Sequence, residues 1–269
     1  MKHAPALLVA FVLATCLASP VSAQIVLIGG STNNGNLDQT YAQEITPGAF
    51  LPKPTVWINE GTRVITGAYE GELSSEPWAG PAPTPVTTDG SGLPLPDGCA
   101  GLDCAVFFKA FTGDVTNGAA TAHLYQDHPA VPGATYVLTG WAGAEINFLA
   151  AGAEIALEFL DGGNSVIPLS GQVIDLLPTL AVPNGQPFSY KQYSATAVAP
   201  AGAVGVRARV SFLDGTSNPA GGGQAFVVDD FTLVFEHASV LEIPTLDPRA
   251  LAVLALLLVM AAIWVLRVR

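Results

Sequence analysis

The chain has 269 residues, 22 of them acidic and ten basic, for a formal net charge of −12, and half of its residues are apolar. That balance excludes nucleic-acid binding by phosphate neutralisation, which needs clustered Lys and Arg. With 28 glycines, 21 prolines and only 12% charged residues, the composition points to turn-rich β-structure rather than disorder.

The first element is an export signal. Lys2 and His3 precede the apolar run Ala6 to Leu17, and Val21-Ser22-Ala23 is a small-x-small cleavage site before Gln24. The run is too short to span a hydrocarbon core about 30 Å thick, and Pro20 breaks it. Residues 1–23 are therefore predicted to be removed as a signal peptide. Cys16 after Leu13-Ala14-Thr15 offers a weaker, lipoprotein-like alternative.

Residues 24–240 form the exported domain, long enough for one large β domain or two small ones. Taking out Lys2, Arg249, Arg267 and Arg269 leaves six of the ten basic residues, and taking out Asp247 leaves 21 of the 22 acidic ones. The exported part thus carries about −15. In its first third, "YEGELSSE" places Glu70, Glu72 and Glu76 close in sequence, and they read as a solvated acidic loop rather than a catalytic pair. Residues 82–104, rich in Pro and Gly, read as a long loop. Signal cleavage removes Cys16, so Cys99 and Cys104 remain as an even pair in an oxidising compartment, where a disulfide across a small loop is expected.

Downstream, seven segments read as strands: 105–111, 120–127, 135–144, 153–161, 192–200, 204–214 and 225–237. Between 204 and 210 the even-numbered residues are apolar while Arg207 and Arg209 take odd positions. No helical period of useful length appears outside the termini. The fold class expected is all-β, an antiparallel β-sandwich of the jelly-roll type.

Candidate functional residues are few. Trp78, in a loop segment, is the better candidate for stacking on a sugar ring, whereas Trp141 alternates with core residues and is expected inside. His123, Asp127 and His128 in "HLYQDHP" read as an ordinary strand end, since no nucleophile elbow or zinc-binding helix accompanies them. No catalytic set is visible, and the protein is not expected to be an enzyme.

The chain closes on "LEIPTLDPRALAVLALLLVMAAIWVLRVR". Residues 250–266 carry no charge and no proline, and at 1.5 Å per residue they make a helix of about 26 Å, enough for a thin bilayer. Arg267 and Arg269 fit its cytoplasmic end by the positive-inside rule.

Ile243-Pro244-Thr245-Leu246, followed by an apolar helix and the terminal arginines Arg267 and Arg269, resembles the IPTL-CTERM sorting signal, a relative of the PEP-CTERM signals of Gram-negative bacteria. The sequence departs from that family at Asp247-Pro248-Arg249-Ala250, where a Trp-Gly pair is common. The resemblance covers residues 243–269. It implies a precursor anchored in the inner membrane, cut by an exosortase-type transpeptidase and passed to the cell surface or extracellular matrix. The rival expectation is a permanent anchor.

"HPAVPGATYVLTGWAGAE", "IALEFLDGGNSVI", "YSATAVAPAGAVGVRARVSF" and "VVDDFTLVFE", in that order, are similar to the galactose-binding-like, carbohydrate-binding-module jelly rolls. The similarity implies non-catalytic binding of a polysaccharide or protein. It also implies a structural calcium ion held by Asp229 or Asp230 with Asp38 of "NNGNLDQTY", Glu44 being the second choice. The other reading pairs Asp230 with Arg207 or Arg209 of the preceding strand, or has it cap the strand entry. A purely structural surface constituent and, more remotely, a polysaccharide hydrolase are the rival functions.

Overall fold

The structure is a computed structural model. It describes residues 24–46, 49–63, 67–68, 73–77, 104–108, 118–180, 191–220 and 224–236, together with 256, 260, 263, 264, 266 and 267. The last six are helical, and among the described residues no helix is long and apolar enough to cross a membrane. The expected signal peptide, Cys99, Trp78, the 82–103 loop, Ile243 to Leu246, Arg269 and most of 250–266 lie outside the described residues.

The chain divides into two units, one of Gln24–His237 and one of the two chain ends. The first is an antiparallel β-sandwich. Its strands are β1 (Gln24–Ile28), β2 (Thr40–Thr46), β3 (Ala49–Pro54), β4 (Ile58–Arg63), β5 (Gly67–Ala68), β6 (Leu73–Pro77) and β7 (Cys104–Phe108). They continue with β8 (Ala120–Pro129), β9 (Thr135–Ala144), β10 (Gly152–Leu160), β11 (Gln172–Asp175), β12 (Lys191–Val198), β13 (Gly205–Gly215) and β14 (Phe226–Glu236). One sheet runs β12-β9-β14-β7-β6, with β1 also pairing to β14. The second runs β11-β10-β13-β8-β4-β5, and β2 and β3 form a separate hairpin.

All seven expected strands are present, as β7, β8, β9, β10, β12, β13 and β14. Period-two alternation decides which way each side chain points. Ala153, Ile155, Leu157 and Phe159 of β10 and Val206, Ala208, Val210 and Phe212 of β13 face inward and meet Tyr136 and Leu138 of β9 and Leu233 and Phe235 of β14. Aromatic pairs bridge the sheets: Tyr136 lies edge-on to Phe159 at 5.5 Å between ring centres, and Phe108 stacks with Phe212 at 6.2 Å. Each fully buried Phe or Leu adds about 1.5–3 kcal/mol of burial energy. At one edge the sheets are also tied by a polar bond, the Thr196 N–H of β12 donating to Gln172 Oε1 of β11 at 2.7 Å.

Expectation and structure differ early in the chain. The strands β1 to β6 and β11 carry short or broken alternation and were not expected. Glu76 stands within β6, opposite Ala105 of β7, rather than in a loop. Trp141 is not in the core. It falls on the odd-numbered face of β9, which points away from the other sheet, and is only partly buried. The core tryptophan is Trp57, 5% exposed and 5.1 Å from the ring of Phe231.

Candidate functional site

Two places in the sandwich gather polar groups. The first is a break in β14. Asp229 pairs with Trp141 of β9, but the next matched pair is Thr232 with Thr139, so Asp230 and Phe231 together oppose Gly140. This is a β-bulge, and Asp230 takes the left-handed conformation with φ of 48°. The extra residue lets Phe231 turn back into the core while Asp229 stays on the outer face of the sheet. Asp229 is nonetheless 1% exposed, and its Oδ1 accepts the Asp230 N–H at 2.7 Å. Burial raises the pKa of the half-buried Asp230 above the usual carboxylate range.

The loop between β1 and β2 seats against this bulge. The Phe231 N–H, left without a ladder partner, donates to Gly35 O at 2.8 Å. The loop is held by Asn34, 1% exposed, whose Nδ2 donates to Gln39 O and Thr55 O and whose Oδ1 accepts the Gln39 N–H. Trp57 Nε1 donates to Asn34 O at 2.9 Å, and Gln126 Nε2 to Asn33 O at 2.7 Å. Asn33 and Asn34 both have positive φ, which Asn tolerates better than most residues. Asp38 lies on the same loop and accepts from Asn36 Nδ2. The fold thus brings the Asp38 loop to the Asp229-Asp230 bulge. Among the described residues no group of three or more His, Cys, Asp or Glu gathers in metal-binding fashion. Glu44 is exposed on β2.

The arginine alternative for Asp230 is overturned. Arg207 and Arg209 belong to β13, which follows β10 and β8 into the other sheet, and their odd positions point outward from the sandwich. Arg207 makes a two-pronged pair with Asp127, Nε to Oδ1 at 2.7 Å and Nη2 to Oδ2 at 2.8 Å. Arg209 bonds Glu158 at 2.7 Å and Glu154 at 3.2 Å.

Those pairs belong to the second polar place, the outer face of the β11-β10-β13-β8-β4 sheet. The ladders set rows across it. One runs Asp175, Glu154, Ser211, His123, Glu60; the next runs Val173, Ala156, Arg209, Tyr125, Ile58; a third runs Glu158, Arg207, Asp127. Their side chains interlock. Tyr125 donates its hydroxyl to Glu60 Oε1 at 2.8 Å, and the Arg207 guanidinium lies over its ring, 4.0 Å from the centre. His123 Nδ1 is 2.7 Å from Ser211 Oγ, which also accepts from Arg209 Nη1.

Electrostatics follow from this crowding. Burial, then the nearby Arg209 charge, lowers the His123 pKa. Burial and the bond to Glu60 push the Tyr125 phenol up to about 12. The bond to Asp127 raises Arg207. For Arg209, burial opposes the charge, but Glu158 and Glu154 more than offset it. Arg207 and Arg209 keep only 17% and 14% of their side-chain surface. The face is a preorganised polar platform. Ser211 is fully buried, so its bond to His123 holds no nucleophile that a substrate can reach.

The alternation in the sequence set Arg207 and Arg209 opposite the apolar even-numbered residues of 204–210 but did not show their partners. Glu154 and Glu158 alternate with Ala153, Ile155, Leu157 and Phe159, and His123, Tyr125 and Asp127 alternate with Ala122, Leu124 and Gln126. The signal was the same period in three strands. Tyr193 is nearly buried and Tyr41 is exposed on β2.

No protein-family model and no curated protein matches the chain. Among solved structures it is similar to the Stig cyclase Fisc from Fischerella sp. TAU, at 14% identity and a TM-score of 0.47 over 80% of this chain and 98% of that one. It is similar to TmCBM61 in complex with beta-1,4-galactotriose, at 14% identity and a TM-score of 0.34 over 66% of this chain and 88% of that one. It is also similar to the enzymatically active domain of tailspike protein 4 of bacteriophage CBA120, at 15% identity and a TM-score of 0.38. There the chain spans 66% of its own length and only 19% of the tailspike's.

Proposed function

We propose that this is an exported, cell-surface or extracellular-matrix protein whose jelly-roll sandwich binds a glycan without catalysis. The observation that carries the reading is the outer face of the β11-β10-β13-β8-β4 sheet. There Arg207, Arg209, Tyr125 and His123 are fixed by one another and by Asp127, Glu158, Glu154, Glu60 and Ser211. A hydroxyl-rich ligand needs many donors and acceptors at set positions. Side chains already ordered in the free protein lose little further entropy on binding.

The platform differs from an open stacking surface, because Tyr125 is 8% exposed and its ring lies beneath Arg207. Recognition at this face is therefore by hydrogen bonds, with Ile58 and Val173 as its apolar margins. The test is a glycan array probed with the purified full-length chain, repeated with Arg207→Ala. Saturable binding that the substitution weakens supports the reading. An array with no saturable ligand leaves the structural-constituent reading in its place.

Two further parts of the proposal rest on other residues. A structural calcium ion at the bulge would be held by Asp230, or by Asp229, with Asp38 and backbone carbonyls of the 29–39 loop. The burial of Asp230 and the seating of that loop on the bulge support it, since calcium takes six to eight oxygen ligands. The tail, Ile243 to Leu246 with the apolar segment and Arg267 and Arg269, is proposed to anchor the precursor in the inner membrane until an exosortase-type transpeptidase cuts it. Replacing Pro244 and Thr245 with alanine should leave export intact and trap the full-length chain in the membrane fraction. A wild-type chain that keeps its C-terminal peptide would discard the sorting reading and leave a permanent anchor.

A further inference from the structure

One end of the sandwich is built from three connections that hydrogen-bond to the strand ends and to one another. In the β10–β11 connection Val166 pairs with Leu160, and the Leu160 carbonyl accepts the Val204 N–H. The Val204 carbonyl accepts the Ala130 N–H, and the Ala199 carbonyl accepts the Gly133 N–H. Residues 130–134, 161–171 and 199–204 thus form one continuous rim. Asp161 is the only charged residue in it, although the domain as a whole is strongly acidic, and its Oδ1 is occupied by the Gly163 and Ser165 N–H groups. Val166, Leu169 and Val204 stand exposed on this rim, and Val198 stands exposed beside it.

Leu169 is the sharpest feature of the rim. Ile167 to Ser170 is a turn closed by the Ser170 N–H and hydroxyl, both donating to Ile167 O, with Pro168 at its second position. The third position has φ of 59°, which turns of this kind give to glycine or asparagine because a Cβ is strained there. Here it is leucine. Its side chain is wholly exposed, while that of Ile167 beside it packs on the core. The fold therefore carries a strained backbone and gains no burial from it, so the contact that Leu169 serves lies outside the sandwich. A single exposed apolar residue needs no explanation, but four gathered on one nearly uncharged rim do.

The chain leaves the sandwich at this same end. β14 stops at Glu236, which pairs with Thr135 of β9, and Thr135 pairs with Val198 of β12 at the rim. Residues 237–249 lead on to the apolar segment 250–266, and even fully drawn out they span at most about 45 Å. β14, with 11 residues, is itself about 36 Å long, so the opposite end of the sandwich reaches a bilayer only near that limit. Resting on the anchored-precursor reading above, we propose that the rim is a lipid contact. Leu169, with Val166, Val198 and Val204 around it, enters the surface of the bilayer that holds residues 250–266. The rim has no Lys or Arg, so the contact is apolar and does not depend on anionic lipid.

The test places the full-length chain in phosphatidylcholine vesicles that carry a photoactivatable acyl chain and maps the crosslinked peptides by mass spectrometry. Crosslinks are expected in 161–171 and 198–204 as well as in 250–266. They should be missing from 145–151, whose exposed Ile146 and Leu149 lie between β9 and β10 at the other end. Leu169→Gly suits the positive φ, so it should hold or raise the melting temperature while cutting the 198–204 crosslinks at least about threefold and leaving those in 250–266 unchanged. Crosslinks in 250–266 alone, or equal labelling of 145–151, overturn the proposal and leave the anchor reading standing. A Leu169→Gly chain that melts lower also overturns it, because Leu169 then serves the fold itself. Protein-to-protein crosslinks at the rim in place of lipid ones overturn it by assigning the rim to a second copy of the chain. Rim crosslinks with none in 250–266 uphold the lipid contact and remove the anchor reading, and no lipid crosslink anywhere overturns both.

Discussion

Asp229 of β14 stands directly across from Trp141 of β9, and it is the last matched pair before the ladder slips. Beyond it, β14 changes neighbours on its other side. Phe226 to Val228 pair with β7, whereas Leu233 to Glu236 pair with β1. The bulge fills the interval between these partners, and the 29–39 loop enters there to take the Phe231 N–H. Sheet register, the seat of the first loop and the candidate calcium position thus depend on one extra residue.

Asp230 is the residue that bears the cost. A side chain other than Gly in the left-handed region costs about 1–2 kcal/mol relative to glycine. Without bound calcium, Asp230→Gly should hold or raise the melting temperature, because it relieves both the backbone cost and the buried carboxyl. Asp230→Ala should melt lower than Asp230→Gly, since alanine keeps the strain. With calcium bound, EDTA should lower the wild type and leave Asp230→Gly unmoved, by linkage. Thermal melts with and without EDTA check all three. A wild type indifferent to EDTA would remove the calcium proposal.

Gly35 tests the seating of the loop. A Cβ on Gly35 would lie 2.5 Å from Phe231 O and 2.7 Å from Gly29 N, both backbone atoms. Neither can turn aside as a flexible side chain can. Gly35→Ala should therefore push the loop off the bulge and cost about 2–3 kcal/mol, from lost packing and an unmade buried hydrogen bond. Amide exchange should report it locally, as faster exchange at Phe231. Unchanged protection there would mean that the loop adjusts without releasing the bulge.

How much of this was legible in the sequence follows from the patterns themselves. Strands β8, β9, β10 and β13 carry period-two alternation over most of their length, and β14 carries it on either side of its bulge, because one face of each builds the core. β2 and β3 form a hairpin outside the two sheets, and their sequences "TYAQEIT" and "AFLPKP" show no clean period. The doublet Asp229-Asp230 was visible as an anomaly, but its resolution by a bulge was not, since a slip of register has no local marker here. Trp141 misled because its neighbours Gly140 and Ala142 are small and buried, which made the whole stretch look interior. The platform on the second sheet was hidden for another reason. Arg209 and Glu158 are 51 residues apart in the chain, and only strand order makes them neighbours.

The Arg209 network should show itself in stability. Removing one partner of a fully buried ion pair costs about 3–5 kcal/mol. Arg209 retains 14% of its side-chain surface and Glu154 retains 25%, so solvent softens the loss. Arg209→Met keeps the apolar stem and should cost about 2 kcal/mol, read by denaturant melts. Arg209→Met with Glu158→Gln should cost less than the two single changes together, because each single change strands the other's partner. Strict additivity would mean that the two groups do not act as a pair in solution.

Acid stability follows from the histidines. Burial lowers His123 and His128 below the ordinary value of 6.5, so the unfolded chain takes up these protons first as pH falls. Stability is therefore present above that value and is lost as pH falls through it towards the folded values. Asp230 has the opposite sign: its raised pKa gives stability that is lost as pH rises through its folded value. That change starts from the ordinary carboxylate pKa near 3.8. The melting temperature should fall between about pH 7.5 and 5.5, and His123→Gln should flatten that fall. An unchanged slope in the variant would show that His123 is not held neutral.

The expected cleavage after Ala23 meets the fold at the first residue of β1. Gln24 pairs with Glu236, and the strand ends at Ile28, whose side chain is wholly buried beside Leu233. A chain cut at the expected site therefore keeps every residue of β1, with nothing left over in front of it. A chain beginning at Gly29 loses the Ile28 side chain, worth about 2 kcal/mol of burial, and uncovers the β14 edge from Leu233 to Glu236. The expected outcome is an intact mass for the secreted protein that starts at Gln24. A version starting at Gly29 should melt about 5 °C lower and aggregate, since an open strand edge invites pairing with another chain. Secretion of a form cut inside β1 with an undiminished melting temperature would show that β1 is dispensable, and that its fit to the cleavage site carries no structural weight.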